Sequence, residues 1–323
     1  MSNQLNECVN DIELIGSLES LRSVSVNSPR QYRRGFRIGG VSLELLGASL
    51  YDVRGGIEME KFESYEQSSD ISINIRWQET LGQRVSQQAF DSGATWRLYR
   101  NGGNFVLDFS SAALALNPYK RMLVDESFSR AEIVLSRSAL NAFPEILPVE
   151  YPICELLITN YLAYRGLGVE VHGCGLIDRE TGAHLFLGHS GAGKSTTAHL
   201  WEKARNPEIL SDDRLILRLH DGELWMYGTP WHGEAAFALP GRAKLQRIHI
   251  LQHGSENRLI QIHKGRAVGE LFARTFPPFH SRAGLERTID FLERLVEVVP
   301  CFEFHFMPYQ SAIAAILDFD RLN

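Results

Sequence analysis

The sequence predicts a two-domain protein of the α+β or α/β class, with a β-rich front domain over residues 1–148 and a second domain over residues 149–323 built on a mixed, hairpin-containing sheet. Short runs of alternating polar and apolar residues dominate the first half, which is the signature of half-buried strands. In the second half an apolar run, a glycine-rich loop and a helix-like run follow one another directly across residues 183–201. The strand-like run before them is joined to them by only residues 178–182, a length that suits a hairpin turn and cannot carry a crossover helix. At 323 residues the chain is longer than one core usually supports, so two domains are expected.

Taken in order, residues 1 to about 33 are polar and rich in Ser and Asn, and Ile12, Leu14, Ile15, Leu18 and Leu21 give them the apolar spacing of one short amphipathic helix, an arm or cover. From Gly35 the texture turns to strands, with alternation at residues 41–45 and 71–77. Residues 95–100 and 104–109 flank Asn101-Gly102-Gly103, a tight hairpin signal, and residues 131–135 supply another strand. No cluster of His, Cys or paired carboxylates appears here, so the front half reads as an antiparallel recognition or assembly domain. Arg30, Arg33 and Arg34 form a small basic group that reads as a solvated loop. Residues 142–148, with two prolines, read as the connection to the second half.

That half opens with helical spacing at residues 155–164, stopped by Arg165-Gly166. A strand at 168–177, the short turn and a second strand at 183–187 lead into Gly188-His189-Ser190-Gly191-Ala192-Gly193-Lys194-Ser195, which fits G-x-x-x-x-G-K-S/T without a mismatch. Glycines let the backbone curl so that its N–H groups converge on phosphate oxygens, and the helix that continues from Ser195 and Thr196 adds partial positive charge. Lys194 is placed to reach the β- and γ-phosphates of ATP, and the Ser195 hydroxyl to ligate Mg2+. Residues 208–213 form a strand that ends in Asp212-Asp213, two carboxylates downstream of a phosphate loop where metal handling and proton acceptance are wanted. A hairpin at 215–219 and 224–227, a glycine- and aromatic-containing loop at 228–234 and a strand at 243–251 follow, and the remainder reads as mainly helical.

Composition narrows the setting. Hydrophobic residues make up 44% of the chain and charged residues 22%, the balance of a globular protein. A formal net charge of −6 argues against a nucleic-acid partner. The start lacks a basic, then apolar leader and no window offers a membrane span, so a cytoplasmic protein with no membrane partner is expected. Cys8, Cys154, Cys174 and Cys301 form no CxxC pair and read as reduced thiols. The oligomeric state is open, a homo-oligomer included.

The order His172-Gly173, hairpin, Gly188 to Ser195 and Asp212-Asp213 resembles the HPr kinase family, whose nucleotide fold is shared with ATP-dependent phosphoenolpyruvate carboxykinase. The resemblance covers roughly residues 150–260 and implies an HPr kinase-like P-loop catalytic domain. It implies that His172 lies near the transferring phosphate and metal, that Asp212 is the general base and that Asp213 is the metal partner. It departs from the family at His189, Thr196 and Ser211, which puts the acceptor and any reverse reaction in question. The function expected is ATP- and Mg-dependent transfer of the γ-phosphoryl group to a Ser or Thr hydroxyl of a protein or peptide. The rival readings are an ATP-binding regulator without transfer and, ranked lower, a carboxykinase-like phosphotransferase.

Overall fold

The computed structural model describes residues 31–322 apart from 83–86, 94, 113–116 and 142–144. The expected helix around residues 12–21 and the basic Arg30 lie outside the described residues. Contacts divide the chain into two units, one holding most of the described residues up to Glu150, the other Tyr151 onward with the short segments Arg37–Val41 and Ile57–Glu63.

In the first unit β1 (Tyr32–Ile38), β2 (Val41–Gly47), β3 (Ile71–Gln78), β4 (Gln87–Asp91), β5 (Trp96–Asn101), β6 (Asn104–Ser110), β7 (Pro118–Val124) and β8 (Arg130–Ser136) make one eight-stranded sheet in the order β1-β2-β3-β8-β7-β6-β5-β4. The expected hairpin is present, with Asn101 opposite Asn104 across Gly102 at φ 60°. The sheet is mixed rather than antiparallel, because β2 and β3 run parallel, as do β3 and β8. Residues 48–70 between β2 and β3 are long enough to return the chain to the same end, and they carry the 3-10 turn Ile57–Phe62.

The second unit runs α1 (Ile153–Arg165), β9 (Gly168–Asp178), β10 (Gly182–Leu187), α2 (Lys194–Arg205), β11 (Glu208–Ser211), β12 (Arg214–His220), β13 (Glu223–Gly228), β14 (Arg242–His253), β15 (Arg258–Gln261), α3 (Lys264–Phe272), α4 (Arg282–Val298), β16 (Cys301–Phe306) and α5 (Ser311–Leu322). Its sheet is ordered β10-β9-β12-β13-β14-β16-β15, with β11 beside β9 and β10 also pairing with β14. β9 and β10 form the expected antiparallel hairpin, Gly182 facing Asp178 and Leu187 facing Gly173. β10, β14 and β16 are parallel, so Leu187, His253 and Phe306 close their strands at one edge of the sheet. The chain beyond residue 251 is less helical than expected, since β15 and β16 lie there and β16 sits inside the sheet between β14 and β15. Its buried run Cys-Phe-Glu-Phe-His-Phe has helix neighbours on both sides in sequence.

Alternation along β10 divides the core. Leu185 and Leu187 pack with Leu271 of α3 and Phe291 and Leu295 of α4, whereas Phe186 packs with Ala198 and Trp201 of α2 and Ile313 and Ile316 of α5. The helix that follows the glycine loop is therefore anchored by Trp201, 1% exposed. Cys154, Cys174 and Cys301 are buried and none is in a disulfide. Among the described residues no helix is long and apolar enough to cross a membrane.

Two histidines are also buried here. His249 is fully buried with neither ring nitrogen hydrogen-bonded, beside Phe186, and His184 packs on Trp201 with its Nε2 at 2.8 Å from Thr181 Oγ1. Burial pushes His184 down to about 4 and His249 well below its ordinary value. Both stay neutral in the folded chain while the unfolded chain takes up protons below about pH 6.5, so stability is lost as pH falls from 6.5 toward 4. Urea titrations should show stability declining over that window by about 1.4 kcal/mol per pH unit for each histidine, and His249→Leu should flatten the slope.

Candidate functional site

β10 delivers the chain to Gly188, and the tip His189, Ser190 and Gly191 is exposed. Ala192 N–H closes the loop onto His189 O at 3.0 Å. Gly193 caps α2 at φ 98°, and a Cβ there would stand 2.4 Å from the Phe306 ring, so only glycine fits. No side chain caps α2, which leaves the first N–H groups of this twelve-residue helix for an anion. Lys194 is 7% exposed, and its Nζ donates to Gly188 O at 3.0 Å and His189 O at 3.1 Å. Burial pushes its ammonium down while Asp213 pulls it back up. Ser195 and Thr196 are exposed, and the Thr197 hydroxyl donates to Gly193 O at 2.9 Å. His253 at the end of β14 lies with Nε2 3.1 Å from Gly191 O.

The acids lie in the bend between β11 and β12. Ser211 Oγ accepts from Asp213 N–H at 3.2 Å and Arg214 N–H at 3.1 Å, which shapes the bend, and Gly173 N–H donates to Asp213 O at 2.9 Å, which binds it to β9. The Asp213 carboxylate meets His172 Nε2 at 2.8 Å and accepts from Arg214 Nε at 3.1 Å. Burial pushes Asp213 up, but the His172 hydrogen bond and Arg214 more than offset it and hold the carboxyl below its ordinary value. Arg214 also pairs with Glu155 at 2.6 Å and lies 3.7 Å over the Phe276 ring. Burial and the neighbouring Glu155 push the fully buried Glu170 well above the usual carboxylate range.

Asp212 is placed otherwise than the resemblance implied. It is 2% exposed and accepts N–H bonds from Gly233 at 3.1 Å, Ala235 at 3.0 Å and Phe237 at 3.3 Å. A carboxylate engaged by three backbone donors is a loop anchor, and a Cβ on Gly233 would press on its Oδ2 at 2.8 Å. Asp212→Ala should therefore cost about 2–4 kcal/mol of stability and open loop 233–237 to proteolysis, read by urea melts and cleavage mapping.

Thus the structure pairs His172 with Asp213, whose charge acts on Lys194, and turns Asp212 toward loop 233–237. Sequence reasoning did not single out Arg214, whose only local signal is its position directly after the acid pair, or the buried Glu155 and Glu170. Arg266, which sits in a Gly-Arg-Ala start of helix, is half-exposed and pairs with Glu303.

Among the described residues no cluster of three or more His, Cys, Asp or Glu is arranged to hold a metal ion. The two oxygen donors singled out in the sequence are the exposed Ser195 and the Asp213 carboxylate, whose Oδ1 meets His172 and whose Oδ2 meets Arg214.

No protein-family model matches the chain, and no curated protein matches it. Solved structures similar to it include that of the Hpr(Ser) kinase/phosphatase from Coxiella burnetii, 12% identical, covering 47% of this chain and 96% of that one at a TM-score of 0.28. A score that low does not establish a shared fold, and the functional reading rests on the residues themselves.

Proposed function

We propose that this chain is a magnesium-dependent phosphotransferase that moves the γ-phosphoryl group of ATP to a hydroxyl, the acceptor being a Ser or Thr side chain of a protein or peptide. One observation carries the reading: the His172–Asp213 pair, at 2.8 Å, joins β9, the strand next to the one that feeds the glycine loop and its buried Lys194, to the bend that carries the acids. Phosphoryl transfer asks chiefly for positioning and charge neutralisation. The loop N–H groups and Lys194 bind and orient the phosphates. The Ser195 hydroxyl and Asp213 carboxylate are the oxygens that would hold a magnesium ion, which when bound neutralises charge on the β- and γ-phosphates.

With Nε2 directed at Asp213, the other ring nitrogen of His172 is the one that accepts the proton of the incoming hydroxyl, and Asp213 fixes the ring and stabilises its cation. Asp212 holds loop 233–237 at the edge of the site. Arg214 holds the Asp213 carboxylate from its other side.

Incubation of the full chain with γ-labelled Mg·ATP and candidate Ser/Thr peptides tests this. Transfer of label with ADP release is expected. Saturable ATP binding with no ADP and no labelled acceptor would instead favour an ATP-binding regulator.

A further inference from the structure

We propose that Arg274 is a second cation for the terminal phosphate, so that the site distinguishes a nucleoside triphosphate from a diphosphate. This rests on the phosphate-loop reading above, and its starting point is the edge of β9. β10 leaves that edge where Leu187 faces Gly173, and the glycine loop begins at the next residue. Beyond that point segment 274–276 lies against β9: His172 N–H donates to Arg274 O at 2.8 Å, Val171 faces Thr275 in an antiparallel bridge, and Phe276 N–H donates to Glu170 O at 3.2 Å. Successive N–H groups of a strand point to opposite sides. Gly173 N–H goes to Asp213 on the β12 side, so His172 N–H points to the β10 side. Arg274 therefore follows directly on the start of the loop along one strand edge, and its charge repels the Lys194 ammonium.

The side chain itself points to a ligand. Arg274 is 4% exposed, and its Nη1 donates to Glu270 O and to Glu270 Oε2, both at 2.7 Å. Its Nε–H is buried and has no acceptor. A charged donor left unmatched in the interior is costly and calls for an explanation. A phosphoryl oxygen is an acceptor of the right charge, and the planar guanidinium suits it. Lys194 and the loop N–H groups suit the phosphates common to ATP and ADP, so the added cation matters most for the third.

The test is calorimetric titration of the full chain with Mg·ATP and with Mg·ADP. Arg274→Gln should weaken Mg·ATP by about tenfold or more and leave Mg·ADP within about twofold, with Arg274→Lys between. Glu270→Gln, which removes the ion pair but keeps the arginine, should retain the wild-type preference for ATP. Equal weakening of both nucleotides by Arg274→Gln, no weakening of ATP, or the same loss in Glu270→Gln overturns the inference while leaving the phosphate-loop reading intact. A wild-type chain that binds neither nucleotide overturns both.

Discussion

Lys194→Ala is expected to weaken Mg·ATP binding by roughly 30- to 100-fold and to suppress phosphoryl transfer further. Loss of a charge-assisted contact of about 1.5–3 kcal/mol accounts for the binding effect. The additional loss in transfer follows because charge develops on the migrating group, and a cation fixed in a water-poor loop stabilises it without reorganising. The buried ammonium also holds the carbonyls of Gly188 and His189, so the variant loosens the loop as well. Trp201 and Ala198 still anchor α2 from the other side of the sheet, and the chain stays folded. Calorimetry for affinity, set beside the melting midpoint, separates the two effects. Unchanged affinity in a folded variant would remove Lys194 from the site.

The second large effect concerns His172→Ala, which should leave Mg·ATP affinity near wild type and slow transfer by about 10²- to 10⁴-fold, the usual worth of a positioned proton acceptor. Splitting binding from turnover is the informative part. His172 touches Asp213 at 2.8 Å rather than the loop carbonyls that Lys194 holds, so its removal spares the phosphate cradle. Single-turnover phosphate incorporation reads the chemical step directly. Equal rates in wild type and variant would move the proton acceptor away from this histidine.

Much of this arrangement was legible in the chain because its signals are local. The glycine loop, the hairpin of β9 and β10 and the strand that ends in the acids each depend on a few adjacent residues, and the structure places these elements where the sequence suggested. Asp212 and Asp213 show where locality ends. They sit in the bend between β11 and β12, where one carboxylate meets β9 and the other meets loop 233–237, some twenty residues further along the sequence. No pattern within residues 208–213 says which is which.

Arg274 was less visible still. Its neighbours are brought to it by the edge of a strand a hundred residues earlier, a pairing that leaves no trace in local periodicity. In the front sheet, the parallel pairing of β2 with β3 and of β3 with β8 is likewise a matter of connection path, which alternation does not encode. β4 was missed for a different reason: three of its first residues are exposed, so no alternation marks it. β16 does carry period two, Phe302, Phe304 and Phe306 alternating with Glu303 and His305, but the run is short and lies between two helices.

Equilibrium dialysis of the folded full-length chain against labelled ATP with magnesium bears most directly on the claim that the loop of Gly188 to Ser195 grips a triphosphate. Saturable binding of one ATP per chain, displaced by unlabelled ATP and lost in Lys194→Ala, is the result expected. Retention no greater than that of a control protein at any ATP concentration would contradict it.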